Sequence, residues 1–337
     1  MRAVAYTEPL SIDHETALID VDMPKQTPIG RDLLVEIKAV SVNPVDTKVR
    51  RGVKPEPGTP KILGWDAAGI VVATGPEVSL FKVGDDVFYA GAIDRPGTNA
   101  EYHLVDERIV GPKPTSLDFA EAAALPLTAI TAWEALFDRL RVNDRQKRKG
   151  DAILIIGGAG GVGSIAIQLA RLLTDLTIIA TASRPETQEW CRDLGAHHVV
   201  NHNVPLAAEV AKLGIGAPIF VFSTTGTEEH LADIVELIAP QGHLCVIDDA
   251  KTLDVMAFKR KCVALHWELM FTRSLFHTPD MIAQHELLSE VSRLVDAGKI
   301  RTTLNQTLGP ITAVNLRKAH ALIETGRTKG KIVLAGF

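Results

Sequence analysis

Long hydrophobic runs are missing from this sequence. No apolar stretch approaches the roughly 20 residues of a membrane-spanning helix, and Met1-Arg-Ala-Val-Ala-Tyr6 lacks the continuous apolar core of a signal peptide. A cytoplasmic protein with no membrane partner is the expectation. Cysteine is scarce: Cys191, Cys245 and Cys262 are widely spaced and odd in number, with no C-x-x-C pair. That excludes a disulfide framework and offers no cysteine zinc site by spacing. Basic excess is also absent. With a formal net charge of -5 the chain is a poor match for a phosphate backbone, so no nucleic-acid partner is expected. Its one basic cluster, Arg145 to Lys149, is followed at once by Gly150-Asp151 and reads as a solvated connection. No H-E-x-x-H motif occurs among the histidines, and His197, His198 and His202 read as loop or strand-edge residues.

The 337 residues are enough for two domains with separate cores, and 46% hydrophobic content fits a soluble globular protein. Residues 1 to about 126 read as β-rich. Candidate strands at 33–42, 67–73 and 86–89 are separated by Gly/Pro/Asp turns, as in a small barrel or folded sheet. The chain turns helical at Asp118 to Leu125, with Asp118 as N-cap. From about 127 to 274 strands and helices alternate, with strands at 152–156, 177–181, 198–200, 218–222, 243–247 and 262–267. Six such strands predict a doubly wound parallel sheet. The tail predicts a helix over about 279–297, a strand near 301–308, a helix over about 312–325 and a last strand from Lys331 to Leu334. It is expected to rejoin the first domain or to form a third lobe.

One stretch organises the rest. Ala152-Ile-Leu-Ile-Ile156 is fully apolar and breaks into Gly157-Gly-Ala-Gly-Gly-Val-Gly163 before apolar residues resume at helical spacing. Gly158, Gly160 and Gly163 match G-x-G-x-x-G between a strand and a helix, the turn that lets a pyrophosphate approach the backbone. Gly158, Gly160, Gly161, Val162 and Gly163 are therefore cofactor-binding candidates. About twenty residues on, NAD-binding units place an acid that bonds the ribose 2′-hydroxyl. Ile178-Ile-Ala-Thr-Ala-Ser-Arg184 has none. Ser183 and Arg184 can instead bond and neutralise a 2′-phosphate, which predicts NADP(H). The alternative is that Arg184 only opens a surface helix, with Pro185 at its first position.

Further stretches resemble the medium-chain dehydrogenase/reductase superfamily over nearly the whole chain. They are Lys38-Ala-Val-Ser-Val-Asn-Pro-Val-Asp46, Ile62-Leu-Gly-Trp-Asp-Ala-Ala-Gly-Ile-Val71, Val83-Gly-Asp-Asp-Val87, Ala100-Glu-Tyr102 and Leu125-Pro-Leu-Thr-Ala-Ile-Thr-Ala-Trp133. Thr181 to Thr187 and His266 to Arg273 are similar to the zinc-type alcohol dehydrogenase-like group, near the quinone oxidoreductases. The resemblance implies an α/β protein: a GroES-like β-barrel catalytic domain, 1–126 with 275–337, and an inserted Rossmann domain, 127–274. Relatives imply a homodimer joined through Rossmann edge strands, here 243–267.

Zinc-dependent members of that superfamily hold the metal at positions that match Asn43, Trp65 and Leu127. An indole and an isobutyl group bind no zinc, and an amide is a poor substitute for thiolate. No catalytic zinc is expected. Asp46 and Asp66 remain beside those positions, read as carboxylates bonded to nearby backbone.

Without a metal, the expected partner is an electrophilic small molecule: a quinone, or an α,β-unsaturated carbonyl compound that takes hydride at its β-carbon. The catalytic candidates are Asn43, Tyr89 and Trp65. The resemblance implies that Asn43 contacts the cofactor or polarises the substrate, against a plain turn residue before Pro44. Tyr89 is a donor or a core tyrosine, and Trp65 is a pocket wall. Thr131, Ser223, Thr224 and Lys331 join the cofactor candidates by resemblance, Lys331 as a 2′-phosphate ligand or a surface charge. Two other functions stay open: a zinc-dependent alcohol dehydrogenase, and an NADPH-binding structural or sensing protein with little turnover.

Overall fold

The structure, a computed structural model, describes residues 1–144 and 151–337, so the basic cluster Arg145 to Lys149 lies outside it. The chain divides into two compact units, Met1–Ile130 with Phe271–Phe337, and Thr131–Met270.

In the second unit six parallel strands among the described residues stand in the order His198–Val200, Thr177–Thr181, Ala152–Ile156, Phe220–Ser223, His243–Val246 and Ala264–Trp267. Numbered along the chain this is 3-2-1-4-5-6, the Rossmann order. The first strand, Ala152–Ile156, is buried at every residue, as a strand covered on both faces must be. Its Leu154 and Ile156 share a core with Ile179, Val221, Leu244 and Val246 and with Leu206, Val210, Ile234 and Leu237 of two crossover helices. Each such side chain contributes about 1.5–3 kcal/mol by leaving water, which makes this sheet a rigid platform for the loops at its carboxyl edge. The fourth strand starts two residues later than expected because Pro218 precedes it. The spacing His198-x-x-x-His202 begins on a strand, which separates its two rings instead of stacking them on one helical face.

The first unit is organised on the eleven-residue strand Asp32–Val42. One side of it pairs with Ala67–Thr74, and the other is shared by Tyr102–Asp106 and the tail strand Lys331–Ala335. Leu304–Thr307, Asp86–Tyr89 and Val110–Pro112 complete a seven-stranded sheet, and a smaller sheet joins Ile19–Asp22, Arg2–Tyr6 and Lys61–Ile62. The tail thus rejoins the first unit through a sheet. Its helices run over Ala283–Asp296 and Ala313–Glu324, with a short extra helix at Thr272–Leu275. Asp118 caps the helix Phe119–Ala123, where it forms a capping box with Glu121.

One helix near the candidate site has no counterpart in the expectations. Pro44–Gly52 starts from an extended Asn43, with Pro44 at the first position and Asp46 closing a capping box, and it ends at an extended Val53. Asn43 is therefore more than a turn residue before proline. The signal was Asn-Pro-Val-Asp, a cap residue followed three positions later by an acid, with proline preset for the first turn.

Candidate active site

At the carboxyl edge of the Rossmann sheet the glycines divide their work. Gly157 has φ +81°, and a Cβ there would lie 2.4 Å from Thr224 Oγ1, so the sharp turn belongs to Gly157. A Cβ on Gly158 would meet Ala180 Cβ at 2.8 Å, and one on Gly163 would meet the Gly157 carbonyl oxygen at 2.3 Å. Those two let strand, turn and helix close up. Gly160 differs, since a Cβ there would meet only the Gly157 oxygen, at 3.4 Å. Gly160 also caps the helix Gly161–Leu173, whose first amides at Gly161, Val162 and Gly163 precede the first intrahelical bond, Ser164 N to Gly160 O. Partial positive charge and free N–H groups meet there on an open surface, which suits an anion.

The neighbouring strand ends frame this turn. Gly157 N donates to Thr181 Oγ1 at 3.0 Å, and Thr224 Oγ1 donates to the Ile156 carbonyl at 2.7 Å. Ser223 is fully buried with its hydroxyl 2.7 Å from that of Thr227. Ser183 and Arg184 follow the strand Thr177–Thr181 and are half-buried. Arg184 does open a helix, Pro185–Asp193, and its Nε lies 3.2 Å from Glu186 Oε1. Gly158 to Gly163, Ser183 with Arg184, and Ser223 with Thr224 thus stand at the carboxyl ends of three adjacent strands, where ligands of doubly wound sheets sit. Thr131 is 5% exposed, on the helix Pro126–Trp133.

In the first unit the structure brings Asn43 and Lys331 together around Asp66, all at most 3% exposed. Lys331 Nζ donates to the Val42 carbonyl at 3.2 Å, to Asp66 Oδ2 at 3.0 Å and to Asn43 Oδ1. An ammonium has three protons, so its donors are used up. The reading of Lys331 as a 2′-phosphate ligand gives way to this placement, because its charge is buried on a carboxylate. Asn43 Nδ2 donates to Asp66 Oδ2 at 2.8 Å, and Leu127 N donates to Asp66 Oδ1 at 2.7 Å. Asn43 N in turn donates to Asp46 Oδ2 at 2.6 Å. Burial raises the Asp66 carboxyl pKa against the pull of Lys331, Asn43 and Leu127 N, and it pushes Asp46 up to about 7. Both acids bond nearby backbone, as expected.

Trp65 and Tyr89 also turn inward. Trp65 Nε1 donates to the Ala92 carbonyl at 3.1 Å, and its ring meets Phe271 edge-on at 6.2 Å. Tyr89 is fully buried, its hydroxyl 3.0 Å from His103 Nδ1, while His103 Nε2 lies 2.9 Å from the Pro96 carbonyl. A carbonyl only accepts, so Nε2 carries the imidazole proton and Tyr89 donates to Nδ1. Burial holds His103 down at about 4 and the Tyr89 hydroxyl well above 10, so the chain stays neutral.

A second acidic cluster escaped the sequence reading. Glu134 begins a π-helical turn, Glu134–Arg139, and Glu268 follows the last Rossmann strand. Both carboxyls are buried, with Arg139 Nε 2.8 Å from Glu268 Oε2. Burial and the nearby Glu134 push Glu268 up to about 9, so it keeps a proton at neutral pH. Only the fold brings these two acids, 134 positions apart in the chain, into contact.

Comparison with known proteins fits both units. Residues 30–115 match the alcohol dehydrogenase GroES-like domain, and residues 194–334 match the zinc-binding dehydrogenase family. A zinc-type alcohol dehydrogenase-like protein of Staphylococcus aureus (strain MSSA476) is 39% identical over 336 residues, 99% of either chain. The chain is a medium-chain dehydrogenase/reductase. Among solved structures of this superfamily, one from Rhizobium etli CFN 42, provisionally named a zinc-dependent alcohol dehydrogenase protein, is 64% identical. It covers 100% of this chain and 98% of its own, with a TM-score of 0.98. The 2-methylene-furan-3-one reductase of Solanum lycopersicum is 30% identical over 99% of this chain and 79% of its own. A quinone oxidoreductase structure from Coxiella burnetii is 26% identical with a TM-score of 0.82, covering 100% and 99%. This medium-chain dehydrogenase/reductase is thus an oxidoreductase of the zinc-type alcohol dehydrogenase-like group, with quinone oxidoreductases among its structural neighbours.

The metal in several of these names does not suit the residues present. The matching positions offer an amide bonded to Lys331 and Asp66, an indole donating to Ala92, and a leucine. Zinc needs thiolate, imidazole or carboxylate lone pairs, and a neighbouring ammonium opposes a dication. Among the described residues no three His, Cys, Asp or Glu side chains gather as a metal site. No described helix is long and apolar enough to cross a membrane.

Proposed function

We propose that this protein is an NADPH-dependent, zinc-independent reductase of quinones or of the activated double bond of α,β-unsaturated carbonyl compounds. The observation that carries this reading is the Asn43–Asp66–Lys331 cluster. Its one cation is the Lys331 ammonium, bonded to Asp66 and Asn43, and a second positive charge beside it is repelled, so the cluster suits substrates that are electrophilic without a metal. The tomato relative's name describes an enone, a substrate of that kind.

When bound, reduced nicotinamide supplies a hydride to the substrate. The residues of this chain then bind and orient. The open surface at Gly160 and the helix at Gly161 hold the pyrophosphate, and Ser183 and Arg184 hold the 2′-phosphate. A phosphate there would compete with Glu186 for the Arg184 guanidinium. Thr131, Ser223 and Thr224 brace the nucleotide side. Asn43, Trp65 and Tyr89 of the first unit are held by their inward bonds, and water supplies the proton that follows the hydride.

Dimerisation and a cytoplasmic location belong to the same proposal. Ala264–Trp267 is an edge strand whose Trp267 is 56% exposed, which supports pairing with a second copy.

The test is a panel of quinones and enones assayed with NADPH and with NADH, alongside metal analysis of protein purified without chelator. Turnover with NADPH and substoichiometric zinc are the expected results. NADPH binding without any turnover would replace the reading with a sensing or structural role, and one tight zinc per chain would restore the alcohol dehydrogenase.

A further inference from the structure

We infer that Asp248 is a positioning residue for the nicotinamide half of the dinucleotide, acting through Thr227 on the turn at 224–226. This rests on the NADPH reading above.

In that reading the pyrophosphate lies over the turn after the first Rossmann strand, Ala152–Ile156, and the 2′-phosphate lies beyond the second, at Ser183 and Arg184. The other half of the dinucleotide then runs the opposite way, over the carboxyl ends of the fourth and fifth strands, Phe220–Ser223 and His243–Val246. The backbone ladder between those two strands ends where Ile247 N donates to the Ser223 carbonyl at 3.3 Å. Beyond it side chains join the loops. Asp248 Oδ2 accepts from Thr227 N at 2.9 Å, and its Oδ1 accepts from Thr227 Oγ1. A carboxylate only accepts, so the Thr227 proton is committed to Asp248, and the Ser223 hydroxyl, 2.7 Å away, donates to Thr227. Ser223 and Thr227 are fully buried, which shields these bonds from water.

The same turn is anchored at its other end. Thr224 N and Oγ1 both donate to the Ile156 carbonyl, at 3.2 and 2.7 Å, and Gly226 between the two anchors has φ +64°. Thr225 at the tip is exposed. A short exposed turn with a glycine in the left-handed region gains many conformations once one anchor is cut. Asp248 therefore orders the turn before the ligand arrives, and only ligand groups that touch this turn benefit.

The test titrates the full-length protein with NADPH and with 2′,5′-ADP, which keeps the adenosine and both its phosphates and lacks the nicotinamide half. Asp248→Ala and Thr227→Val should each raise the Kd for NADPH about 10-fold or more and leave that for 2′,5′-ADP within about twofold. Thr227→Ser keeps the hydroxyl and should bind NADPH within about threefold of the unmodified protein. A residue with only a structural role would weaken both ligands together. Glu228→Gln is the control, because Glu228 joins the same loops at the rim, accepting from Lys251 N at 3.1 Å and Thr252 Oγ1 at 2.8 Å, and bypasses the Thr227 side chain. It should change NADPH affinity by less than about twofold. Should Asp248→Ala fail to fold, Thr227→Val, which keeps the side-chain shape, decides alone. Equal weakening of both ligands, unchanged NADPH affinity, or a Glu228→Gln effect as large as that of Thr227→Val overturns the inference and leaves the NADPH reading standing. An unmodified protein that binds neither ligand overturns that reading itself.

Discussion

Around Gly160 the protein leaves side chains out, whereas around Lys331 it packs them until each ammonium proton has an acceptor. Gly157, Gly158 and Gly163 close the turn because no Cβ fits there, and Gly160 keeps an open surface beside a helix N-terminus. Asn43, Asp66 and Lys331 close their pocket with matched donors and acceptors. The contrast teaches what each region can still do. An open turn with unused N–H groups waits for an anion, but a saturated cluster can only hold its neighbours in place. The pair Glu134 and Glu268 marks the limit of the second strategy. Two buried acids share one arginine there, Glu268 Oε1 has no hydrogen-bond partner, and the carboxyl takes a proton instead.

The comparison breaks most visibly if the packed cluster is hollowed out. Asp66→Ala strands the Lys331 ammonium, the Asn43 amide and the Leu127 N–H, and it should destabilise the protein by about 3–5 kcal/mol in urea unfolding. A loss below 1 kcal/mol would mean that the cluster is hydrated and replaceable.

Filling the open turn should instead leave the fold alone. Gly160→Ala places its methyl 3.4 Å from the Gly157 oxygen, so stability should change by less than about 1 kcal/mol, while the Kd for NADPH rises about 10–100-fold. Unchanged NADPH affinity in a titration would move the pyrophosphate away from Gly160.

The smallest effect sharpens the contrast between the two acidic clusters. Glu268 has a folded pKa of about 9 against an ordinary 4.5, so the folded state holds a proton that the unfolded chain has released. Stability must therefore fall as pH rises between those values, by about 1 kcal/mol from pH 7 to 8. Glu268→Gln should flatten that slope in melting curves taken from pH 6 to 9. A slope that survives the substitution would place the titrating group elsewhere.

Legibility in the sequence followed the range of the interactions. Parallel strands buried on both faces are continuous runs such as Ala152–Ile156, and glycine needs no partner to reveal a tight turn, so the six strands and the glycine turn of the Rossmann unit were readable. The first unit was readable only where its strands are apolar. Ile19–Asp22 alternates with acids and lies at an edge, and Tyr102–Asp106 mixes tyrosine, histidine and aspartate, so both strands pass for loop. Asn43 was found by resemblance, yet the role of its amide depends on Asp66 and Lys331, 23 and 288 residues away. No local pattern links those three residues. Their meeting is a product of sheet register, in which Ile332 pairs with Val42 and so sets Lys331 beside Asn43.

That register imposes a timetable on synthesis. At the 5–20 residues per second of a ribosome, Lys331 is made about 15–50 s after Asp66. For that interval the nascent chain holds Asp66 with no counter-charge, and the strand Asp32–Val42 lacks its tail partner. Residues 131–270 meanwhile contain every strand of their own sheet. The nucleotide unit is thus able to fold while the first unit stays open, and the last strand, arriving with its lysine, acts as the bolt that locks the earlier part of the chain.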